Sequence, residues 1–280
     1  MSSQLEKALR IMTFNLRYNL EENQGIARVD AVVAEINAYA PDVLGVQEDT
    51  PEWASYLDQK LKAYSVERGD PTMLKDIDER VSLYYQTEKF YKIDSGSKWL
   101  SDTPDVRSRF PESGSRRKVN YVILERKSDG TRFCYANTHL ENGGVGTPIY
   151  EERETARIKQ IKVLLHIMDE IRMQYHAIPT VITGDFNITS DSKVYSSVLE
   201  HGYWDTRLVA DTTTDHWTFN HGYADESQFG KVSAILDFCF VSQDDFHVIK
   251  YQVPTEKYLE MYPSDHFPIV VDALFVSKSI

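Results

Sequence analysis

The sequence predicts an α/β layered fold in which sheets are covered by helices, and three observations predict it. Short apolar runs rich in strand formers alternate with stretches whose apolar residues recur every three or four positions. Polar residues gather at the tips of those runs, where layered α/β folds place their chemistry. No fixed-period repeat and no low-complexity linker interrupts the pattern. The expected organisation is a lead-in over residues 1–10 followed by a single domain over residues 11–280.

Ile11–Leu16 reads as the first strand, and Ile26, Val29, Val33 and Ile36 then mark an amphipathic helix that Pro41 stops. Asp42–Gln47 is a second buried strand. Thr50-Pro51 supplies a cap and first turn for a helix bearing Trp53, Tyr56, Leu57 and Leu61. Val81–Gln86, Phe90–Ile93, Val119–Glu125 and Arg132–Thr138 are strands with turns such as Ser128-Asp129-Gly130 between them. A long helix fits Tyr150 to Tyr175, with Ile158, Ile161, Leu165, Met168 and Ile171 on one face. Glu151, Glu152 and Glu154 sit at the positive end of its dipole. Thr180–Thr183, Ala234–Val241 and Ile269–Phe275 complete the strands.

The 280 residues are 41% hydrophobic and 26% charged, which suits a globular chain with a substantial core. A net charge of -12 argues against a broad electrostatic grip on nucleic acid. Cys134 and Cys239 lie inside strand-like runs without metal-ligand spacing, so buried free thiols are expected. No apolar leader precedes Ile11 and no run approaches the ~20 residues that span a bilayer. A reduced, cytoplasmic location without membrane insertion is the expectation.

Seven polar islands mark the strand tips: Thr13-Phe14-Asn15, Gln47-Glu48, Asp78-Glu79, Asn137-Thr138-His139, Gly184-Asp185-Phe186-Asn187, Leu236-Asp237-Phe238 and Ser264-Asp265-His266. Taken singly, each is more often a turn or a satisfied structural group. Together they supply what phosphoester cleavage needs: a cation on the phosphate oxygens, an activated water, and charge stabilisation in the transition state. Glu48 offers a hard oxygen to Mg²⁺ or Mn²⁺, with Asn15 and Asp265 as neighbours. Asp185 and Asn187 can act on one atom, the acid on a proton and the amide on a water or phosphate oxygen. A carboxylate partner such as Asp237 keeps His266 cationic. His139 could form a second such pair with Glu79.

The ordered set TFN, QE, NTHL, TGDFN, LDF and SDHFP resembles the endonuclease/exonuclease/phosphatase superfamily, the deoxyribonuclease I-like fold, over nearly the whole chain. The resemblance implies a four-layered α/β sandwich of two mixed β-sheets flanked by helices, and divalent-metal-dependent cleavage of phosphodiesters or phosphomonoesters. It places Asn15, Glu48 and Asp265 on the metal side and Asp185 as the base, a role a histidine could also take. Asn187 orients water or phosphate, His266 and Asp237 form a dyad facing the transition state, and His139 sits near the phosphate or leaving group with Glu79 as partner. Asn15-Leu16-Arg17-Tyr18, Trp99–Pro104 and Tyr262–Pro268 are similar to a bacterial branch of compact hydrolases.

The chain departs from that pattern on the substrate side. Ile235-Leu236-Asp237-Phe238 replaces a basic-Ile-Asp-Tyr run. Asn142 stands where the branch has a histidine, and the loop Glu141–Tyr150, with Gly143, Gly144 and Gly146, is longer than usual before the helix bearing Arg157. Between Arg107 and Lys118 lie five basic residues (Arg107, Arg109, Arg116, Arg117, Lys118) against one acid, Glu112. That excess can hold an additional phosphate, with Arg117 the first candidate for substrate binding and Arg17 the second. The expected function is a Mg²⁺- or Mn²⁺-dependent phosphoesterase acting on a small phosphorylated molecule. A metal-dependent endo- or exonuclease is the alternative, and a non-catalytic binding protein of the same fold the third reading.

Overall fold

The computed structural model describes residues 7–21, 25–69, 80–143, 148–220 and 234–276. In chain order the strands are β1 (Leu9–Asn15), β2 (Val43–Gln47), β3 (Tyr64–Glu67), β4 (Val81–Gln86), β5 (Phe90–Trp99), β6 (Lys118–Arg126) and β7 (Arg132–His139). They continue with β8 (Thr180–Asp185), β9 (Tyr203–Asp205), β10 (Thr212–Thr214), β11 (Asp237–Ser242), β12 (Phe246–Gln252) and β13 (Ile269–Phe275). The helices are α1 (Ile26–Tyr39), α2 (Pro51–Lys60), α3 (Tyr150–Gln174), α4 (Lys193–Glu200) and α5 (Thr206–Val209).

Among the described residues the strands form two mixed sheets, one of seven strands in the order β10-β12-β13-β1-β2-β4-β3 and one of six in the order β5-β6-β7-β8-β11-β9. Each has a parallel pair at its centre, β1 with β2 and β7 with β8. One apolar cluster, with Leu9, Ile11, Val43, Phe133, Val181 and Val241, fills the space between the sheets. A second lies between the six-stranded sheet and α3 and α4, a third between the seven-stranded sheet and α1 and α2. The result is the four-layer sandwich that the resemblance implied.

Alternation along the strands explains how this scaffold delivers a site. In β1, Met12 and Phe14 face the helices, while Leu9, Ile11, Thr13 and Asn15 form the opposite row. In β7 the inward row reads Phe133, Tyr135, Asn137, His139, and in β8 it reads Val181, Thr183, Asp185. Each inward row is apolar at one end, neutral and polar in the middle, and ionisable at the tip. The middle tier is hydrogen-bonded across the sheets: Asn137 Nδ2 donates to the carbonyls of Val46 (2.9 Å) and Ser82 (3.2 Å), and its Oδ1 accepts from Gln47 Nε2 (2.7 Å). These bonds matter because a buried polar group left unpaired costs ~1–3 kcal/mol. Gly45 must lack a side chain here, since a Cβ would lie 2.7 Å from Asn137 Cγ.

The structure extends the sequence reading in several places. β1 begins at Leu9, two residues earlier than expected, because Arg10 N donates to Asp42 Oδ2 (2.8 Å) and Arg10 Nε to Asp272 Oδ1 (2.7 Å). β5 runs on to Trp99 through polar Asp94–Lys98, paired with β6 along its length and bulged between Lys92 and Asp94. β12 was not anticipated, and its bulge between Val248 and Lys250 breaks the alternation that would have marked it. β3, β9, β10, α4 and α5 were also missed, being three to eight residues long, too short for periodicity to register.

Candidate active site

Five strand ends gather polar groups at one cleft of about 840 Å³, which Glu48, His139 and Asp185 line directly. Asn15 ends β1, Glu48 follows β2, His139 ends β7, Asp185 ends β8 and Asp237 begins β11. Asp237 pairs with Asp185 and Asp185 with His139, so three tips stand in line across the six-stranded sheet. His266 reaches the group through a bridge to Phe219, whose ring lies 5.1 Å from the imidazole.

Asp185 is the hub. Its Oδ2 accepts from Asn15 Nδ2 (3.0 Å) and lies 3.4 Å from His139 Nε2 and 3.9 Å from His266 Nε2. Its Oδ1 accepts from Asn187 N (2.9 Å), while Asn187 Nδ2 lies 2.9 Å from His139 Nε2 and donates to the Leu140 carbonyl (3.2 Å). Burial raises the Asp185 pKa, the His139 and His266 rings oppose the rise, and the facing Asp237 adds to it. The result is a carboxylate with more than ordinary proton affinity. His266 Nδ1 lies 2.8 Å from Asp237 Oδ2. Burial works against its charge, but Asp237, by charge and hydrogen bond, and then Asp185 and Asp265 outweigh it and push the pKa up to about 10. His266 is therefore an imidazolium at neutral pH.

On the other side of the cleft, Glu48 Oε1 accepts from Asn15 Nδ2 (3.3 Å) and Oε2 from Tyr18 N (2.6 Å). Gln47 already points between the sheets, so strict alternation would turn Glu48 outward. Its left-handed backbone (φ 60°) reverses that direction. Arg17 (φ 60°) and Asn187 (φ 51°) share this conformation, which costs roughly 1–2 kcal/mol at each non-glycine residue. The turn after β1 is braced from beneath. Buried Arg28, stacked 4.7 Å from the Trp53 ring, donates to the carbonyls of Leu16, Arg17 (2.8 Å), Asn19 (2.6 Å) and Pro263 (3.2 Å). Ser264 Oγ donates to the Asn15 carbonyl (2.6 Å), tying the turn to the segment that carries Asp265 and His266.

Asn15, Glu48, His139, Asp185, Asn187, Asp237, Asp265 and His266 thus converge, whereas Glu79 lies outside the described residues. Arg17 lines the cleft with Nε 3.8 Å from Asp265 Oδ2 and its guanidinium 5.0 Å from the Tyr18 ring. Arg117 also lines it but is buried, with Nε 3.9 Å from Glu141 Oε2. Sequence reasoning missed Arg28, Glu141 and Phe219. The signal for Arg28 was available: it shares the buried stripe of α1 with Val32, Glu35 and Ile36, and an arginine on such a stripe needs acceptors.

The donor set fits a hard divalent ion. Glu48, Asp185 and Asp265 open on the same cleft, donor atoms of Asp185, Asp237 and His266 lie within 4.8 Å of one another, and buried Asp237 Oδ1 has no hydrogen-bond partner among the described residues. Carboxylate oxygens are what Mg²⁺ and similar ions take. His266, protonated and held by Asp237, contributes charge rather than a free electron pair. Asn15 turns its amide nitrogen to both carboxylates, and its Oδ1 accepts from Arg17 N (2.9 Å).

The model of the Endonuclease/Exonuclease/phosphatase family matches residues 12–266. The chain belongs to this family. It is an enzyme of the hydrolytic phosphoesterase and nuclease class, its fold is the deoxyribonuclease I-like sandwich, and enzymes of this family depend on divalent metal. A mannosyl-6-phosphatase from Bacteroides thetaiotaomicron is 26% identical, with a TM-score of 0.85 over 95% of this chain and 100% of that one. The catalytic domain of human Nocturnin with bound sulfate shares the fold at 21% identity, with a TM-score of 0.72 over 96% of this chain and 95% of that one. An uncharacterised protein of Acanthamoeba polyphaga mimivirus is 25% identical over 87% of this chain and 90% of its own length. No helix among the described residues is long and apolar enough to cross a membrane.

Proposed function

We propose that this protein is a Mg²⁺- or Mn²⁺-dependent phosphoesterase that hydrolyses a small phosphorylated molecule, with its catalytic domain running from residue 11 onward. One observation carries the reading: Asp185 Oδ2 stands within 3.9 Å of an amide, a histidine and an imidazolium brought from three separate segments. The likeness to a protein named mannosyl-6-phosphatase supports a phosphomonoester, and the net charge of -12 supports a small molecule over a polynucleotide.

In this reading Asp185 takes a proton from the attacking water, which its raised proton affinity favours. The water oxygen bonds to phosphorus and the bond to the leaving oxygen breaks. Asn187 orients the water or a phosphate oxygen, and His139 stands beside the phosphate or leaving group. His266, oriented by Asp237, places positive charge against the oxygens as their charge grows. Glu48 and Asp265, with Asn15 alongside, hold the metal, which supplies Lewis-acid neutralisation of the phosphate. Arg17 and Arg117 bind substrate.

A metal-supplemented screen of phosphomonoesters, phosphodiesters and nucleic acids tests this. Turnover of a small phosphoester is expected, falling about 10²–10⁴-fold in Asp185→Asn and in His266→Ala. Silence on every phosphoester would reject the proposal. Nicking of plasmid or shortening of single strands, abolished by His266→Ala and without small-molecule turnover, would make the protein a nuclease instead.

A further inference from the structure

Among the described residues, one cation in the cleft is left over by this chemistry. Within the basic run before β6, Arg109 Nη1 donates to the carbonyls of Ser113 (2.6 Å) and Gly114, Lys118 Nζ donates to the Arg68 carbonyl (3.3 Å), and Arg117 faces Glu141. Arg116 is different. It lines the cleft beside His139, its Nε is buried, and among the described residues it makes no hydrogen bond and no ion pair. A guanidinium keeps its charge at any physiological pH, and a buried donor without an acceptor is costly. An arriving anion relieves both.

The wall that carries Arg116 is built from below. Glu141 accepts from Ser113 Oγ and from Ser115 N (3.0 Å), Gln160 Nε2 donates to Ser113 Oγ (3.1 Å), and Arg153 Nη1 donates to the Glu112 carbonyl (2.6 Å). Its place follows from the register. Asp237 pairs with Asp185, Asp185 with His139, and on the far flank Thr138 pairs with Val119 of β6. Arg116, just upstream of β6, lies beyond His139 on the side away from Asp185. Neighbouring strands are about 4.8 Å apart, so roughly 10 Å separates the β6 flank from Asp185. A phosphorus held by Asp185 and His266 leaves room on that side for a second anionic group.

We propose that Arg116 is a specificity-determining residue that receives a second phosphate of the substrate, which makes a small organic bisphosphate the preferred substrate class. The proposal rests on the phosphoesterase reading of the same cleft. The reacting phosphate lies at Asp185 and His266, and the distal phosphate forms charge-assisted bonds with the Arg116 fork.

Glucose 1,6-bisphosphate and glucose 6-phosphate distinguish the possibilities when each is followed by phosphate release and by calorimetric binding in Mg²⁺. The wild type is expected to bind the bisphosphate about tenfold or more tightly than the monophosphate, the gain of one charge-assisted fork. Arg116→Gln is expected to lose at least tenfold more on the bisphosphate than on the monophosphate, in KM rather than kcat. Arg116→Lys restores part of the gap because it keeps charge without the fork. Equal wild-type affinity for the two ligands, or an equal loss on both in Arg116→Gln, would overturn the proposal. An affinity gap that depends on Arg116, with neither these compounds nor any other phosphoester hydrolysed, would support the phosphate site while sinking the hydrolytic reading.

Discussion

Asn15 Nδ2 lies 3.0 Å from Asp185 Oδ2 and 3.3 Å from Glu48 Oε1, so one amide joins a carboxylate of the six-stranded sheet to one borne beside its own. A neutral donor is needed at that point, because an acid there would place three carboxylates in contact. Asn15→Asp is expected to lower turnover about 10²-fold or more, with the fold retained by circular dichroism. Activity within a factor of three of wild type would remove the bridging role.

The oxygen-rich side of the cleft predicts a specific metal response. Chelation should abolish hydrolysis and added Mg²⁺ or Mn²⁺ should restore it. Glu48→Gln removes a charge from the metal side and should raise the metal concentration for half-maximal rate about tenfold or more. Full activity after exhaustive chelation contradicts the assignment.

Glu35 predicts a pH dependence of stability far from this chemistry. It is buried in α1, and burial, then the charge of Glu256, raise its carboxyl pKa well above the ordinary 4.5. The folded state therefore holds a proton that the unfolded chain releases above about 4.5. Stability is full below that value and declines as pH rises through the raised folded pKa. Glu35→Gln should remove this decline, so its melting temperature should gain on wild type between pH 5 and 9. A constant difference across that range would show that the fold does not raise the Glu35 pKa.

Gly184 predicts a steric limit beside the hub. It has φ 154°, and a Cβ there would stand 2.1 Å from the Thr138 carbonyl oxygen, an approach backbone on both strands must yield to relieve. Gly184→Ala should cost on the order of 3 kcal/mol, read as a lower urea midpoint with unchanged slope. A midpoint within error of wild type would mean that β7 and β8 separate easily.

Much of the site was legible because strand alternation is local. Asn15, His139, Asp185 and Asp237 fall at the tips of apolar runs, on the row that continues Leu9, Phe133, Val181 and Cys239 between the sheets. Glu48 was found by its motif, but its aim depends on one left-handed residue that no periodicity records. Arg28 works through the Pro263 carbonyl, 235 positions away, and such a partner is invisible in a local pattern. The basic run before β6 was legible as charge. Which member faces the cleft without a partner among the described residues depends on Glu141 and on backbone carbonyls that claim its neighbours.

Asn137 fixes how far this architecture can be remodelled. By gripping β2 and β4 from β7, it pins the floor, so chemistry and selectivity are mechanically separable. The segment around Ser115 lines one side of the cleft. Grafting different segments there should exchange one ligand for another while the hydrolytic machinery beneath keeps its alignment.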